Sequence, residues 1–363
     1  MNLYTSQDKI STLLSDLMPL HDLESRRDDI LGCFREITAE SLSYPLESGS
    51  KMSSLTSEGM PIELSLSFGP EGSGGLRYVT EAGELTALFG ERLIKGNLIA
   101  RRMIEKIGAI HALELHQSLF SLLYPEEIQN RPGCRCRFGL WHGMIHRPGK
   151  PDAMKVYYNL RPWKNNIQDA IKSVFSLLSS TANMDQLYKA SLNLPDSARP
   201  VFLGLEYGSD AIGVKLYYRC RSEIQKSSIE RLIKDMGFSE HIGAFSELHE
   251  LLMGNGSDYP ERSVVIYLKQ DSKKKETSLS LYFVLARLLQ SDNAAICLIT
   301  QFLVDRGIDP LIYQETMKVI SRGKLSNSNV LYHTLIGIGF TNKGVKINIY
   351  AKPTWESLGI VKK

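Results

Sequence analysis

The chain has 363 residues, 43% of them hydrophobic, which is enough to bury a substantial core as one large closed domain or as two ordinary ones. Charge is nearly balanced at a formal +3, so no strong field marks a nucleic-acid-binding protein. The five cysteines (Cys33, Cys134, Cys136, Cys220, Cys297) are scattered as in a reducing compartment, MNLYTSQDKISTLL lacks the build of a secretion signal, and no stretch approaches about 18 apolar residues, so the sequence reads as soluble and cytoplasmic with no membrane partner.

In chain order, residues 3–44 have helical spacing, with Ile10, Leu13, Leu14 and Leu17 repeated after a polar break by Ile30, Cys33, Phe34 and Ile37. LESGSKMSSLTSEG reads as loop. PIELSLSF then alternates like a strand and GPEGSGG joins it to LRYVTEAG, a first hairpin. Helical segments over 84–108 and 110–123 precede a second hairpin, RFGLWHGMI (137–145) with AMKVYYNL (153–160) across HRPGKPD. Helix returns over 166–192, followed by PVFLGLEY (200–207), the turn GSD and AIGVKLYYRC (211–220). Residues 222–254 are helical and lead to SVVIYLKQ (263–270), a turn containing Lys273, Lys274 and Lys275, and TSLSLYFVL (277–285). A last helical stretch, 292–323, precedes VLYHTLIGIGF (330–340), the turn TNKG and VKINIYAKP (345–353).

The second strands of these hairpins share a device. Lys155-Val156-Tyr157 returns as Lys215-Leu216-Tyr217, as Ser280-Leu281-Tyr282 and as Asn348-Ile349-Tyr350 with Lys346 before it. The four copies lie 60, 65 and 68 residues apart (155 to 215, 215 to 280, 280 to 348), which marks an internal repeat. Residues two apart on a strand point to one face, so each copy sets a polar or cationic group beside a phenol and leaves aliphatic residues opposite.

Two helices and a hairpin, taken five times, give an α+β chain with ten antiparallel strands. Closing the strands into a barrel removes their exposed edges, and ten strands leave a solvent-accessible lumen with the helices packed outside. An open sheet layered with helices is the alternative. The expected organisation is a single domain over 1–363, with N-terminal helices in 1–50 and five ααββ repeats over 60–353.

Lysine and arginine inside a chamber are costly unless an anion neutralises them. Arg77, Lys155 and Lys215 stand at comparable second-strand positions, so the expected guest is multiply anionic, such as a diphosphate. Phenols beside these cations can hydrogen-bond the same oxygens, and their electron-rich faces can stabilise a carbocation and keep water from it. That combination suits ionisation of an allylic diphosphate. Asp28-Asp29 lacks the later aspartates of a DDxxD magnesium site and Cys134-Arg135-Cys136 is too close for a CxxC pair, so the expectation is no metal and no cofactor.

PIELSLSFGPEGSGGLRYVTEAG resembles the first hairpin of the dimethylallyltryptophan-synthase-type aromatic prenyltransferases, and the later K-x-Y strands resemble the rest of that family's barrel, over roughly 60–353. The resemblance implies the ααββ prenyltransferase (PT) barrel and metal-independent Friedel–Crafts transfer of a prenyl group, commonly dimethylallyl, from an allylic diphosphate to an indole, tryptophan-derived or other electron-rich aromatic acceptor, a reaction of alkaloid secondary metabolism. Carried onto this chain, it makes Glu63 the carboxylate that holds the indole N–H and takes a proton. Arg77, Lys155 and Lys215 become diphosphate ligands, and Tyr157, Tyr217, Tyr282 and Tyr350 the shield over the cation. Gly213 stands where many relatives have an arginine, and Lys346 is expected to replace that contact. On the strand where fungal relatives carry a lysine base, this chain offers Trp141 and His142, and His142 is the second catalytic candidate because histidine titrates near neutrality. Asn348 and Tyr332 complete the candidates. Two other readings are a cyclase of prenyl diphosphates, with Glu63 moving protons on a terpene intermediate, and a non-catalytic barrel for a hydrophobic ligand.

Overall fold

Alternating strands with two usable faces can be covered only by packing something against each, and the structure does this with helices outside and a lined chamber inside. The computed structural model describes residues 5–42, 53–56, 58–70, 74–130, 138–179, 185–208, 212–254, 256, 258–271 and 277–360. Cys134, Cys136 and the lysines of the 273–275 turn lie outside these residues.

Among the described residues, five helix pairs alternate with five hairpins. The pairs are α1 (Ser6–Leu17) and α2 (Arg27–Thr38), α3 (Phe89–Lys106) and α4 (Leu113–Leu123), α5 (Ile167–Ser179) and α6 (Asp185–Leu192), α7 (Lys226–Asp235) and α8 (Ile242–Met253), α9 (Asp292–Asp305) and α10 (Leu311–Ser321). The hairpins are β1 (Ile62–Phe68) with β2 (Leu76–Glu81), β3 (Leu140–Arg147) with β4 (Lys150–Asn159), β5 (Ala198–Tyr207) with β6 (Ile212–Cys220), β7 (Val264–Asp271) with β8 (Thr277–Val284), and β9 (His333–Thr341) with β10 (Gly344–Ala351). Each strand pairs antiparallel with its sequence neighbours, and β10 returns to β1 to close the barrel, so the open-sheet alternative does not apply.

Local chemistry sets the element ends. Thr5 accepts from the Asp8 N–H while the Asp8 carboxylate accepts from the Thr5 N–H, a reciprocal cap that starts α1. Ser291 caps α9 through the Ala294 N–H. Within the helical stretch 222–254, Gly237 takes a left-handed φ of 82° that ends α7 and separates it from α8. The second hairpin turns more tightly than HRPGKPD implies: Arg147 pairs with Lys150, leaving Pro148 and Gly149, with Gly149 at φ 63°, as the two-residue connection.

The apolar residues separate into an annulus and a lumen. The outward faces of the strands, such as Leu64, Val156, Leu205, Leu216, Leu268, Leu281 and Ile349, join the helix faces in one continuous core. Inside the barrel a second cluster gathers Val201, Tyr217, Val265, Tyr267 and Tyr282, and a third gathers Val79, Phe138 and Trp141. The Tyr157-Tyr158 and Tyr217-Tyr218 doublets supply both layers, since consecutive strand residues face opposite ways. Tyr158 belongs to an outer network in which its hydroxyl meets His116 Nδ1 at 2.5 Å and the Tyr207 hydroxyl at 3.1 Å.

Candidate active site

The chamber is built in two tiers by strand register. Gly143 pairs with Lys155, Lys155 with Glu206, Gly204 with Lys215, Lys215 with Lys269, and Gly339 with Lys346, which carries one cationic level around the wall. Arg77 reaches the same cavity from β2, where its Nε donates to the Gly74 carbonyl at 3.1 Å. Two residues from the lysines of β4, β6 and β7, and four from Lys346 on β10, lies the aromatic level. Ring centroids run from Tyr157 to Tyr217 at 5.8 Å, on to Tyr267 at 5.2 Å, to Tyr282 at 5.1 Å and to Tyr350 at 5.3 Å. Five phenols thus form one continuous wall, and the Tyr282 and Tyr350 hydroxyls are hydrogen-bonded at 3.0 Å. The cavity that both tiers line measures about 340 Å³.

Electrostatics follow from this crowding. Lys215 Nζ donates to Glu206 Oε2 at 2.6 Å, while the same carboxylate has Lys155 at 3.7 Å and Lys269 at 4.0 Å. Burial alone would raise the Glu206 carboxyl, but Lys215, Lys269 and Lys155 hold it well below the usual range. Burial and then the neighbouring Lys215 push Lys155 well below a normal lysine. Lys346 falls to about 7, again through burial first, then Arg77 and Lys215. Among the described residues neither Arg77 nor Lys346 forms an ion pair, so the cluster holds cationic capacity that the protein's own carboxylates do not satisfy. Burial also raises the phenols of Tyr157, Tyr217, Tyr282 and Tyr350, which stay protonated donors.

Beyond the tyrosines, Glu63 on β1 pairs across to Val79, which packs with Phe138 and Trp141. Trp141 stacks on Phe138 with centroids 4.0 Å apart and meets Phe202 at 4.9 Å. In this apolar setting burial pushes the Glu63 carboxyl up to about 7, against the smaller pull of Thr334 and Lys352. A carboxyl so placed can exchange a proton near neutral pH.

Of the residues singled out in the sequence, Arg77, Lys155, Lys215, Lys346, Asn348, Tyr217, Tyr282 and Tyr350 line the cavity, Tyr157 joins the wall, and Glu63 faces the inside at the next level. His142 is not brought to the chamber. It pairs with Thr80 and Val156 on the outward face, and its Nε2 lies 3.0 Å from the Gly96 carbonyl of α3. Burial there lowers it to about 4, which leaves it neutral and without access to a substrate. Tyr332 is also elsewhere, buried before β9 with its hydroxyl 3.4 Å from Thr354 Oγ1. The cation facing Gly213 is Lys269 rather than Lys346: a Cβ on Gly213 would lie 3.2 Å from Lys269 Cε. Sequence reasoning missed Tyr267, Lys269 and Glu206. Tyr267-Leu268-Lys269 is the same device read backwards, because β7 runs opposite to the strands that carry K-x-Y.

Among the described residues no group of three or more His, Cys, Asp or Glu is placed to hold a metal ion, and no helix is long and apolar enough to cross a membrane. Fold and chamber together define a closed ααββ barrel with a cationic, tyrosine-walled lumen. No protein-family model and no curated protein matches the sequence. Solved structures do match. The prenyltransferase PriB in ternary complex with L-tryptophan and dimethylallyl thiolodiphosphate superposes with a TM-score of 0.80 at 18% identity, covering 96% of each chain. The 5-dimethylallyltryptophan synthase from Streptomyces coelicolor, in complex with DMASPP and Trp, gives 0.81 at 17% identity, covering 99% of this chain and 98% of that one. AnaPT from Neosartorya fischeri gives 0.74 at 14% identity, with 96% and 94% covered. At this level of identity the likeness is one of fold, and the fold is the PT barrel.

Proposed function

We propose that the protein is an aromatic prenyltransferase that moves a prenyl group, dimethylallyl in the first instance, from an allylic diphosphate to an indole or tryptophan-derived acceptor. The observation that carries this reading is the juxtaposition of a cationic tier and a tyrosine wall inside one lumen. PriB and the Streptomyces coelicolor synthase, which share the fold, are described with tryptophan and dimethylallyl diphosphate analogues bound.

In the proposed mechanism Arg77, Lys155, Lys215, Lys269 and Lys346 bind the diphosphate and stabilise the charge that develops as the allylic C–O bond breaks. The faces of Tyr157, Tyr217, Tyr267, Tyr282 and Tyr350 surround the allylic cation and exclude water. The acceptor lies against Trp141 and Phe202, its ring carbon attacks the cation, and the proton displaced from that carbon passes to the Glu63 carboxylate. The five cations supply the leaving-group stabilisation that a divalent metal would otherwise provide, so the reaction is proposed to be metal-independent. Asn348 is a further candidate contact to the diphosphate.

The test is incubation with dimethylallyl and geranyl diphosphate, in EDTA, against a panel of indoles including tryptophan, read by mass spectrometry. A mass gain of one prenyl unit supports the reading. Diphosphate release without an adduct moves the cyclase ahead, and absence of diphosphate binding leaves a passive barrel.

A further inference from the structure

A site built for a multiply charged anion gains nothing obvious from a carboxylate at its centre, yet Glu206 is there. Its oxygens lie 2.6 Å from Lys215, 3.7 Å from Lys155 and 4.0 Å from Lys269, three of the ammonium groups that the functional reading assigns to the diphosphate. Register fixes this position, since Glu206 stands opposite Lys155 on one side and Gly213 on the other. The space that Gly213 leaves empty is crossed by Lys269, whose Cε would be 3.2 Å from a Cβ at that residue. Only the contact to Lys215 is a close hydrogen-bonded pair, so the carboxylate is shared and satisfies none of the other lysines fully.

We propose that Glu206 is an internal counter-anion, occupying the centre of the lysine cluster in the resting protein and limiting how tightly donor and released diphosphate are held. This rests on the diphosphate reading of the chamber. Unpaired ammonium groups gathered on one wall repel each other, and a carboxylate between them offsets that cost while the site is empty. An arriving diphosphate then competes with Glu206 for the same donors and feels its negative charge at close range. The consequence is weaker binding of the leaving diphosphate, which lets it depart after transfer.

Isothermal titration with inorganic pyrophosphate tests this on the wild type and on Glu206→Gln. The expected result is a Kd lower by roughly tenfold or more in E206Q, because a unit charge within about 4 Å is removed from the site. Steady-state kinetics should show the same change as a lower KM for the prenyl diphosphate, stronger inhibition by pyrophosphate and a reduced kcat limited by release. E206D keeps the charge but draws it back by one methylene; it is expected to bind pyrophosphate more tightly than the wild type by a smaller factor and serves where E206Q does not fold. An unchanged or higher Kd in the folded variants overturns the proposal and makes Glu206 a group that organises the lysines for binding. Failure of the wild type itself to bind pyrophosphate is a different result, since it removes the diphosphate reading rather than the role of Glu206.

Discussion

The Cδ1–Cε1 edge of the Tyr282 ring abuts Gly337 of the adjacent strand, so close that a Cβ on that glycine would stand 2.1 Å from Tyr282 Cδ1. Any side chain at this position displaces the ring and with it the 3.0 Å contact to Tyr350. Gly337→Ala is expected to cost about 1 to 3 kcal/mol of stability through overpacking. It should also open the tyrosine wall to water, so the ratio of prenyl alcohol to prenylated product, read by chromatography, should rise. An unchanged ratio would show that the wall tolerates the shift.

Glu63 should act in its ionised form. With its carboxyl raised to about 7, the fraction available as base increases as pH rises through that value, and kcat should climb on this limb. Glu63→Gln should lower kcat by about 10²- to 10⁴-fold and remove the limb, while pyrophosphate binding stays near the wild-type value. Loss of pyrophosphate binding in this variant would point to a structural role.

Donor binding should run the other way with pH. Lys346, lowered to about 7, is protonated below that value and neutral above it, whereas a diphosphate favours the protonated form. Binding above pH 7 must therefore take up a proton, and affinity should fall as pH rises. Titration with pyrophosphate in buffers of different ionisation enthalpy measures that uptake directly, and Lys346→Met should abolish its contribution.

Arg77 has no acidic partner among the described ion pairs, so its removal leaves no orphaned carboxylate beside it. Arg77→Ala is expected to weaken pyrophosphate binding by about 1.5 to 3 kcal/mol, the range for hydrogen bonds to charged groups. The slope of affinity against salt should become shallower at the same time.

His142, hydrogen-bonded to the Gly96 carbonyl beneath α3, should matter for stability and not for chemistry. His142→Ala is expected to lose about 1 to 3 kcal/mol in denaturant melts, while turnover per folded molecule at low temperature stays unchanged. A selective loss of turnover in folded protein would return His142 to the catalytic candidates.

The case of His142 shows where reading the sequence stops. An unbulged hairpin closed at Arg147 and Lys150 would set His142 directly opposite Lys155, on the chamber face. A register shift between Ile145 and Arg147 instead pairs His142 with Val156 and Gly143 with Lys155. One residue of slip exchanges the two faces of a strand, and nothing in the local composition announces it.

What the sequence determined by itself was whatever depends on neighbours in the chain. Alternation in PIELSLSF, AMKVYYNL and GVKLYYRC set the strands, and the two-residue spacing of Lys155 with Tyr157 and Lys215 with Tyr217 put each cation and phenol on one face before any fold was known. The repeat of helix pairs and hairpins also carried the ten-stranded barrel. Tertiary structure alone decided how strands distant in sequence align. It brought Tyr267 and Lys269 into the wall from a strand running in the opposite sense, set Glu206 among three lysines, and laid Lys269 across the space at Gly213. Such contacts arise from barrel register, a relation between strands, and a periodicity within one strand holds no information about it.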